Sequence, residues 1–275
     1  MTLKVVLGDT SYSVDRDFGG LQRSNITDVL SDVAVFENGN VCVLLRGRPA
    51  VRIFSLNGEE IGTIDIPEIV DGHGITTDGE NILIVDRDSH RVLFITSAGE
   101  VLHTIGREHS PAWQDPFNHP TAIARSSDRC LFVTDGYGNA RVHKYSAGGN
   151  LLTSWGNLGS KDGEFQCPHA LAILPDDTLV VGDRDNNRLQ LFSPDGDFRS
   201  SWYGFWRPMG VAATPDGNVL VSDQSPALFL MAPDGTCIGR CRPANNWPHG
   251  VAISKDGIIY LAEMNPASIV QMIPE

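Results

Sequence analysis

Short apolar runs rich in Val, Ile and Leu alternate along this chain with polar clusters of Gly, Asp, Asn and Pro. No run carries the period of an amphipathic helix. Apolar stretches bounded by turn residues predict strands. The pattern also repeats. HGITTDGENILIVDRDSHRVLFITSAGEVLHTIG from His73, TAIARSSDRCLFVTDGYGNARVHKYSAGGNLLTSWG from Thr121 and HALAILPDDTLVVGDRDNNRLQLFSPDGDFRSSW from His169 share one plan. Each holds a short apolar run, a polar turn, a strongly apolar run ending near Asp, a polar loop with Arg, an alternating run, a Gly turn and a last strand. Weaker copies begin near Ser31, Met209 and His249, so the unit starts are spaced by 42, 48, 48, 40 and 40 residues.

Asp78-Gly79, Asp195-Gly196, Asp216-Gly217, Asp234-Gly235 and Asp256-Gly257 supply hairpin turns that tolerate positive φ. Six units of four strands predict an all-β chain folded as a six-bladed β-propeller, one domain spanning 1–275. The blades are expected at about 28–68, 70–110, 117–160, 165–205, 206–246 and 247–275. The last unit has only three strands before the chain ends. The segment 11–18, SYSVDRDF, is expected to supply the fourth and close the ring, which leaves no long sheet edge exposed.

Composition narrows the function. The formal charge of −13 opposes nucleic-acid binding, which needs a basic surface. Five scattered cysteines without a Cys-x-x-Cys pair read as free thiols rather than a disulfide framework. The first residues have too short an apolar run for a signal peptide, and no stretch is long enough to span a bilayer. The expected location is therefore the cytoplasm, with no membrane partner. Protein partners are not legible.

Aligning the six units at the start of their first strands places Ser31, His73, Thr121, His169, Met209 and His249 at equivalent positions. The first strand of a propeller blade lines the channel. Histidines in alternate blades, related by a third of a turn, would converge on the axis. Three neutral imidazoles leaving one coordination position open are a pattern of catalytic zinc. The other histidines, His90, His103, His109, His119 and His143, follow no such pattern and read as surface or packing residues.

In an antiparallel meander the loop after the second strand lies at the same end as the start of the first. That loop holds Arg46 in the first unit, Arg87 in the second, Tyr137 in the third and Arg184 in the fourth. Guanidinium forks suit a carboxylate. Arg87 between Asp86 and Asp88, and Arg184 between Asp183 and Asp185, also fit simple ion pairs. The residues alone predict a polar, metal-bearing pocket for a small anion.

These units resemble the NHL repeat, and the whole from about Tyr12 onward resembles the lyase domain of peptidyl-α-hydroxyglycine α-amidating lyase and its bacterial relatives. DGHGITTDG, VTDGYGNARVHKYSAGGNLLTSWG, PHALAILPDDTLVVGDRDNNRLQLF and WPHGVAISKDG carry the resemblance. It implies zinc on His73, His169 and His249, Tyr137 as catalytic base, and Arg46 and Arg184 near the substrate carboxylate and the tyrosine. The implied reaction splits an N-acyl hemiaminal into a carboxamide and glyoxylate. The resemblance also implies a structural calcium, held partly by an aspartate just after the third histidine. Gly250 stands there and removes that ligand, while Ile75 still offers a backbone carbonyl. Trp247 replaces a methionine common before the last Pro-His, and Gly138 after Tyr137 excludes the disulfide of secreted animal enzymes. With no signal peptide and no fused monooxygenase in this sequence, a smaller hemiaminal is expected, an N-acyl or N-carbamoyl α-hydroxyglycine bearing a carboxylate. Two other readings stand beside it: a metal-dependent lactone or ester hydrolase on the same scaffold, and a non-catalytic binding propeller. The first usually uses calcium and a carboxylate-rich channel, and the second needs no histidine ring.

Overall fold

The computed structural model describes residues 3–24, 28–107, 110–113 and 116–275. Six antiparallel sheets stand around a central channel, a six-bladed all-β propeller. Blade 1 holds Leu30–Val35, Val41–Leu45, Val51–Phe54 and Glu60–Ile64. Blade 2 holds Gly72–Asp78, Asn81–Asp86, Arg91–Ile95 and Val101–Gly106. Blade 3 runs through Ala122–Arg125, Leu131–Asp135, Arg141–Tyr145 and Leu151–Trp155, and blade 4 through Pro168–Ile173, Leu179–Asp183, Arg188–Phe192 and Phe198–Tyr203. Blade 5 is Pro208–Ala213, Val219–Asp223, Leu228–Met231 and Cys237–Cys241. Blade 6 contributes Pro248–Ile253, Ile259–Glu263 and Ser268–Pro274.

The second strand of every blade is buried throughout, apart from Asn81 at the start of the one in blade 2, which explains its apolar run. The core lies between neighbouring blades. Leu83, Val85 and Phe94 of blade 2, for example, pack on Ile123, Leu131 and Val133 of blade 3. The Pro-Asp-Gly turns close by i to i+3 bonds, such as Gly217 N to Thr214 O, with φ of 86° at Gly217.

The ring closes as expected but with one strand more. Thr10–Asp15 pairs antiparallel with Ser268–Pro274 and completes blade 6. Leu3–Leu7 then folds back on it as a fifth strand. This outer strand lies against blade 5, where Gly239 must be glycine because a Cβ there would run into the backbone nitrogen of Gly8. The Val5–Leu7 run therefore straps blade 6 to blade 5. Among the described residues the only helical turns are two 3₁₀ segments, Phe18–Ser24 and Arg184–Asn186.

Five of the six first strands carry a β-bulge at their start. The register skips between Leu30 and Asp32, Gly72 and Gly74, Pro168 and Ala170, Pro208 and Gly210, and Pro248 and Gly250. The extra residues are Ser31, His73, His169, Met209 and His249. A bulge kinks the strand and re-aims the inserted side chain, so the fold devotes an irregularity to turning these residues to the axis.

Candidate metal centre and active site

The bulges bring His73, His169 and His249 together. Their ring centroids lie 4.8–4.9 Å apart at interplanar angles of 71–75°, and one nitrogen from each falls within 4.8 Å of the others. All three are buried. Each ring is tethered by Nδ1 to the aligned residue of the next blade. His73 Nδ1 donates to Thr121 O at 2.8 Å, His169 Nδ1 to Met209 O at 2.9 Å, and His249 bonds the backbone of Ser31. The Ser31 and Thr121 hydroxyls pass the contact on, to His73 O and Pro168 O. Backbone carbonyls of the neighbouring blades thus fix the protonated nitrogen of each imidazole on the outside. Each Nε2 lone pair is left facing the axis.

That is the arrangement expected behind metal-ligating histidines, where the second nitrogen is held by an outer partner. His169 Nε2 and His249 Nε2 are buried without a hydrogen-bond partner, an arrangement that costs free energy unless something fills it. Burial, and the nearness of the other rings and of Arg46 and Arg184, drives all three imidazoles well below their ordinary pKa, His249 to about 3. They are neutral at physiological pH, as ligands must be. The donor set fits a divalent metal with an open position.

The loops after the second strands of blades 1 to 4 arch over this centre. Tyr137 follows the second strand of blade 3, and its hydroxyl lies 3.1 Å from His73 Nε2. It needs Gly136 before it, since a Cβ there would strike Pro168 O. Arg184 Nη1 donates to the Tyr137 oxygen at 3.1 Å, and its other nitrogens hold Asp185. The guanidiniums of Arg87 and Arg184 lie 5.2 and 5.1 Å from the Tyr137 ring centroid. Arg87 is tied to Asp71 at 2.5 Å and to Asp88 at 2.8 Å. It is therefore both an ion pair and a lining group. The expected Asp86 and Asp183 partners instead hold Arg91 and Arg188.

Arg46 differs from these two. It lies 3.5 Å from Asp71, its Nε has no hydrogen-bond partner, and its charge bears on all three histidines. Asp71 is the residue the sequence reading missed. It sits in the loop entering blade 2, two positions before His73, and holds both Arg46 and Arg87. Burial raises its carboxyl against the pull of the two guanidiniums. The signal was available in the Asp71-Gly72-His73 run, because the loop between blades opens on the same face.

The remaining histidines take other roles. His143 is buried between Asp135 and Ser154, and His90 packs edge-on to His119 with centroids 4.3 Å apart. His109 lies outside the described residues. The calcium ligand implied at position 250 does not fit. A Cβ on Gly250 would collide with Asp32 Oδ1 and lie 2.9 Å from Asp32 Cα. Both oxygens of that carboxylate already accept backbone N–H bonds, from Val33 at 2.9 Å and Ile75 at 3.0 Å. All five cysteines are free, and burial pushes the Cys42 and Cys167 thiols up to about 12, which makes them inert. Among the described residues no helix is long and apolar enough to cross a membrane.

Fold and centre define a six-bladed propeller with three histidines on its axis. Comparison with known proteins narrows this further. The NHL repeat model matches residues 165–192. The chain is 30% identical to the peptidylglycine alpha-amidating monooxygenase of Rattus norvegicus over 72% of its length and 23% of the relative's. It is 31% identical to peptidyl-alpha-hydroxyglycine alpha-amidating lyase 1 of Drosophila melanogaster, over 73% of this chain and 44% of that one. It thus spans less than half of these relatives. NHL repeat-containing protein 3 of Mus musculus is 29% identical over 86% of this chain and 77% of the relative. Among solved structures, a gluconolactonase from Xanthomonas campestris superposes with a TM-score of 0.73 at 14% identity, covering 98% of this chain and 91% of that one. Virginiamycin B lyase from Staphylococcus aureus, as an inactive variant with quinupristin, gives 0.68 at 13%, covering 95% and 99%. These last two show the fold alone. The chain is a six-bladed propeller that carries an NHL repeat and is similar to proteins named as amidating lyases.

Proposed function

We propose that this protein is a zinc-dependent carbon–nitrogen lyase. Its substrate is a small N-acyl or N-carbamoyl α-hydroxyglycine, which it splits into an amide and glyoxylate. One observation carries the reading: three buried, neutral imidazoles present their Nε2 atoms to one point, with the Tyr137 oxygen 3.1 Å from one of them. The likeness to proteins named for amidating-lyase activity supports it.

His73, His169 and His249 would hold the zinc, which supplies a Lewis acid that lowers the pKa of a coordinated hydroxyl. Arg46, approached by Asp71 only at 3.5 Å, binds the substrate carboxylate and sets the reacting carbon beneath Tyr137. Tyr137 must enter this step as its phenolate, and in that form it accepts the proton of the substrate hydroxyl on its oxygen. The Arg184 bond to that oxygen offsets negative charge there and holds it in place. As the C–N bond breaks, the hydroxyl carbon becomes an aldehyde and the electron pair leaves with the nitrogen. Tyr137 returns the proton to that nitrogen, so no net proton is consumed. Arg87, held by Asp71 and Asp88, keeps the Tyr137 ring upright between fixed cations.

A second reading, a binding propeller without catalysis, is favoured by the NHL repeat-containing relative, whose name carries no reaction. Metal content separates the two. Purified protein analysed by mass spectrometry is expected to hold about one zinc per chain, lost in His169→Ala, and to release glyoxylate from α-hydroxyhippurate or a carbamoyl analogue. Protein that holds no metal, and takes up none when zinc is supplied, leaves only the binding reading.

A further inference from the structure

The first strand of blade 1 carries no histidine, yet it lies between two strands that do. Ser31 and Asp32 join it to both. Ser31 Oγ donates to His73 O at 2.9 Å, while the Ser31 backbone receives the His249 ring. One residue on, the Asp32 carboxylate reaches sideways into blade 2 and accepts the Ile75 N–H at 3.0 Å, two positions past His73. Its other oxygen accepts Val33 N–H at 2.9 Å, which locks the rotamer. On the opposite flank it occupies the space that a side chain at position 250, next to His249, would fill. Asp32 lines the channel with His73, Ile75 and His249. A carboxylate in the wall of a propeller channel, with no cationic partner among the described residues, is costly to bury. Something must keep it there.

We propose that Asp32 is a positioning residue of the three-histidine centre, a splint delivered from blade 1 that sets the His73 and His249 strands relative to each other without a bound cation. The inference rests on the metal reading above only for its consequence, the affinity and geometry of the site. The splint itself rests on the hydrogen bonds and on the close approach to Gly250. Because the Cβ direction at 250 points at the Asp32 carboxylate, the same space can be served by a carboxylate from either strand. Exchanging the two residues, Asp32→Gly with Gly250→Asp, removes the side-chain clash at 250 and moves the group across the gap, leaving a 2.9 Å approach to the Cα of residue 32 that the backbone must relax.

The test compares wild type, Asp32→Gly, Asp32→Asn and the exchange variant, each metal-stripped and then titrated with Co²⁺. Hydrogen exchange of the metal-free proteins reads the splint directly. Peptides covering 72–78 are expected to lose at least tenfold protection in Asp32→Gly, less in Asp32→Asn, which keeps one acceptor, and to regain most of it in the exchange variant. The cobalt titration reads the consequence: affinity falls 10- to 100-fold in Asp32→Gly, as for other outer partners of metal ligands, the visible band changes shape, and the exchange variant recovers both. Adding calcium to the wild type is expected to leave melting temperature and exchange unchanged. Unchanged protection in Asp32→Gly, or calcium-dependent stabilisation of the wild type, would each overturn the splint. If wild type binds no cobalt while the exchange pattern follows expectation, the splint stands and the metal reading falls.

Discussion

At the scale of single residues, the chemistry depends on what each side chain has left to offer once its structural bonds are counted. Arg184 is committed to Asp185 and Tyr137, and Arg87 to Asp71 and Asp88, while Arg46 has only the looser approach of its Nε to Asp71 at 3.5 Å. Tyr137→Phe is expected to lower kcat by about 10²–10⁴-fold, the range of a lost acid–base group, with zinc content unchanged. Arg46→Met should raise KM more than it lowers kcat. Steady-state glyoxylate release, with metal analysis of each variant, checks both. The histidines also make a pH prediction for the metal-free protein. Their folded pKa values lie well below the unfolded value near 6.5, that of His249 at about 3. The unfolded chain therefore binds more protons, and the stability they contribute is full above pH 6.5 and lost progressively as pH falls towards 3. The Asp32 carboxyl, which burial raises to about 7, works in the opposite sense, but it is one group against three. Melting temperature measured from pH 7.5 to 4 should fall. A flat profile would contradict neutral, buried imidazoles.

At the scale of the element, one device recurs. The acid ending the second strand of five blades reaches back to cap the loop that enters its own blade. Asp86 accepts Val70 and Asp71 N–H, Asp135 accepts Asn118 N–H, Asp183 accepts Gln166 N–H, Asp223 accepts Trp206 N–H and Glu263 accepts Asn246 N–H. These acids are structural, although they lie within a few residues of the site. Asp183 is fully buried and also holds Arg188 at 2.9 Å. Asp183→Ala leaves that buried arginine with only the exposed Asp162, 3.8 Å away, as an ionic partner, so it is expected to cost about 3–5 kcal/mol of stability, read by chemical denaturation, before any loss of activity is interpreted. The Asp at the end of each apolar run was plain in the sequence. Its partner was not, because the loop it caps begins some 17 residues earlier and only blade closure brings the two together. Similarly, the repeat placed His73, His169 and His249 at equivalent positions, but nothing local in Pro-His or Gly-His announces a bulge. The bulge appears only when the strand pairs.

For the whole molecule, closure decides stability. Thr10–Asp15 supplies the outer partner of Ser268–Pro274, joining the two ends of the chain, with Tyr12 and Val14 buried among Leu261, Val270 and Met272. Val14→Asp places a charge in that seam. It is expected to destabilise the entire propeller by at least about 3 kcal/mol, and to expose a strand edge that promotes association. Denaturant unfolding and light scattering read the two effects. Retention of wild-type stability would show that the ring does not depend on this seam. The sequence by itself determined the strand class, the count of blades, the register of the ring positions and the chemical character of the pocket. Those follow from period, turn residues and alignment of repeats, all of which are local or near-local. The tertiary structure decided which nitrogen of each imidazole faces the axis, the pairing of Asp71 with Arg46 and Arg87, the approach of Asp32 to Gly250, and the fifth strand strapping blade 6 to blade 5. Each of these joins residues from different blades or loops, and such contacts exist only once the sheets have taken their angular places around the channel.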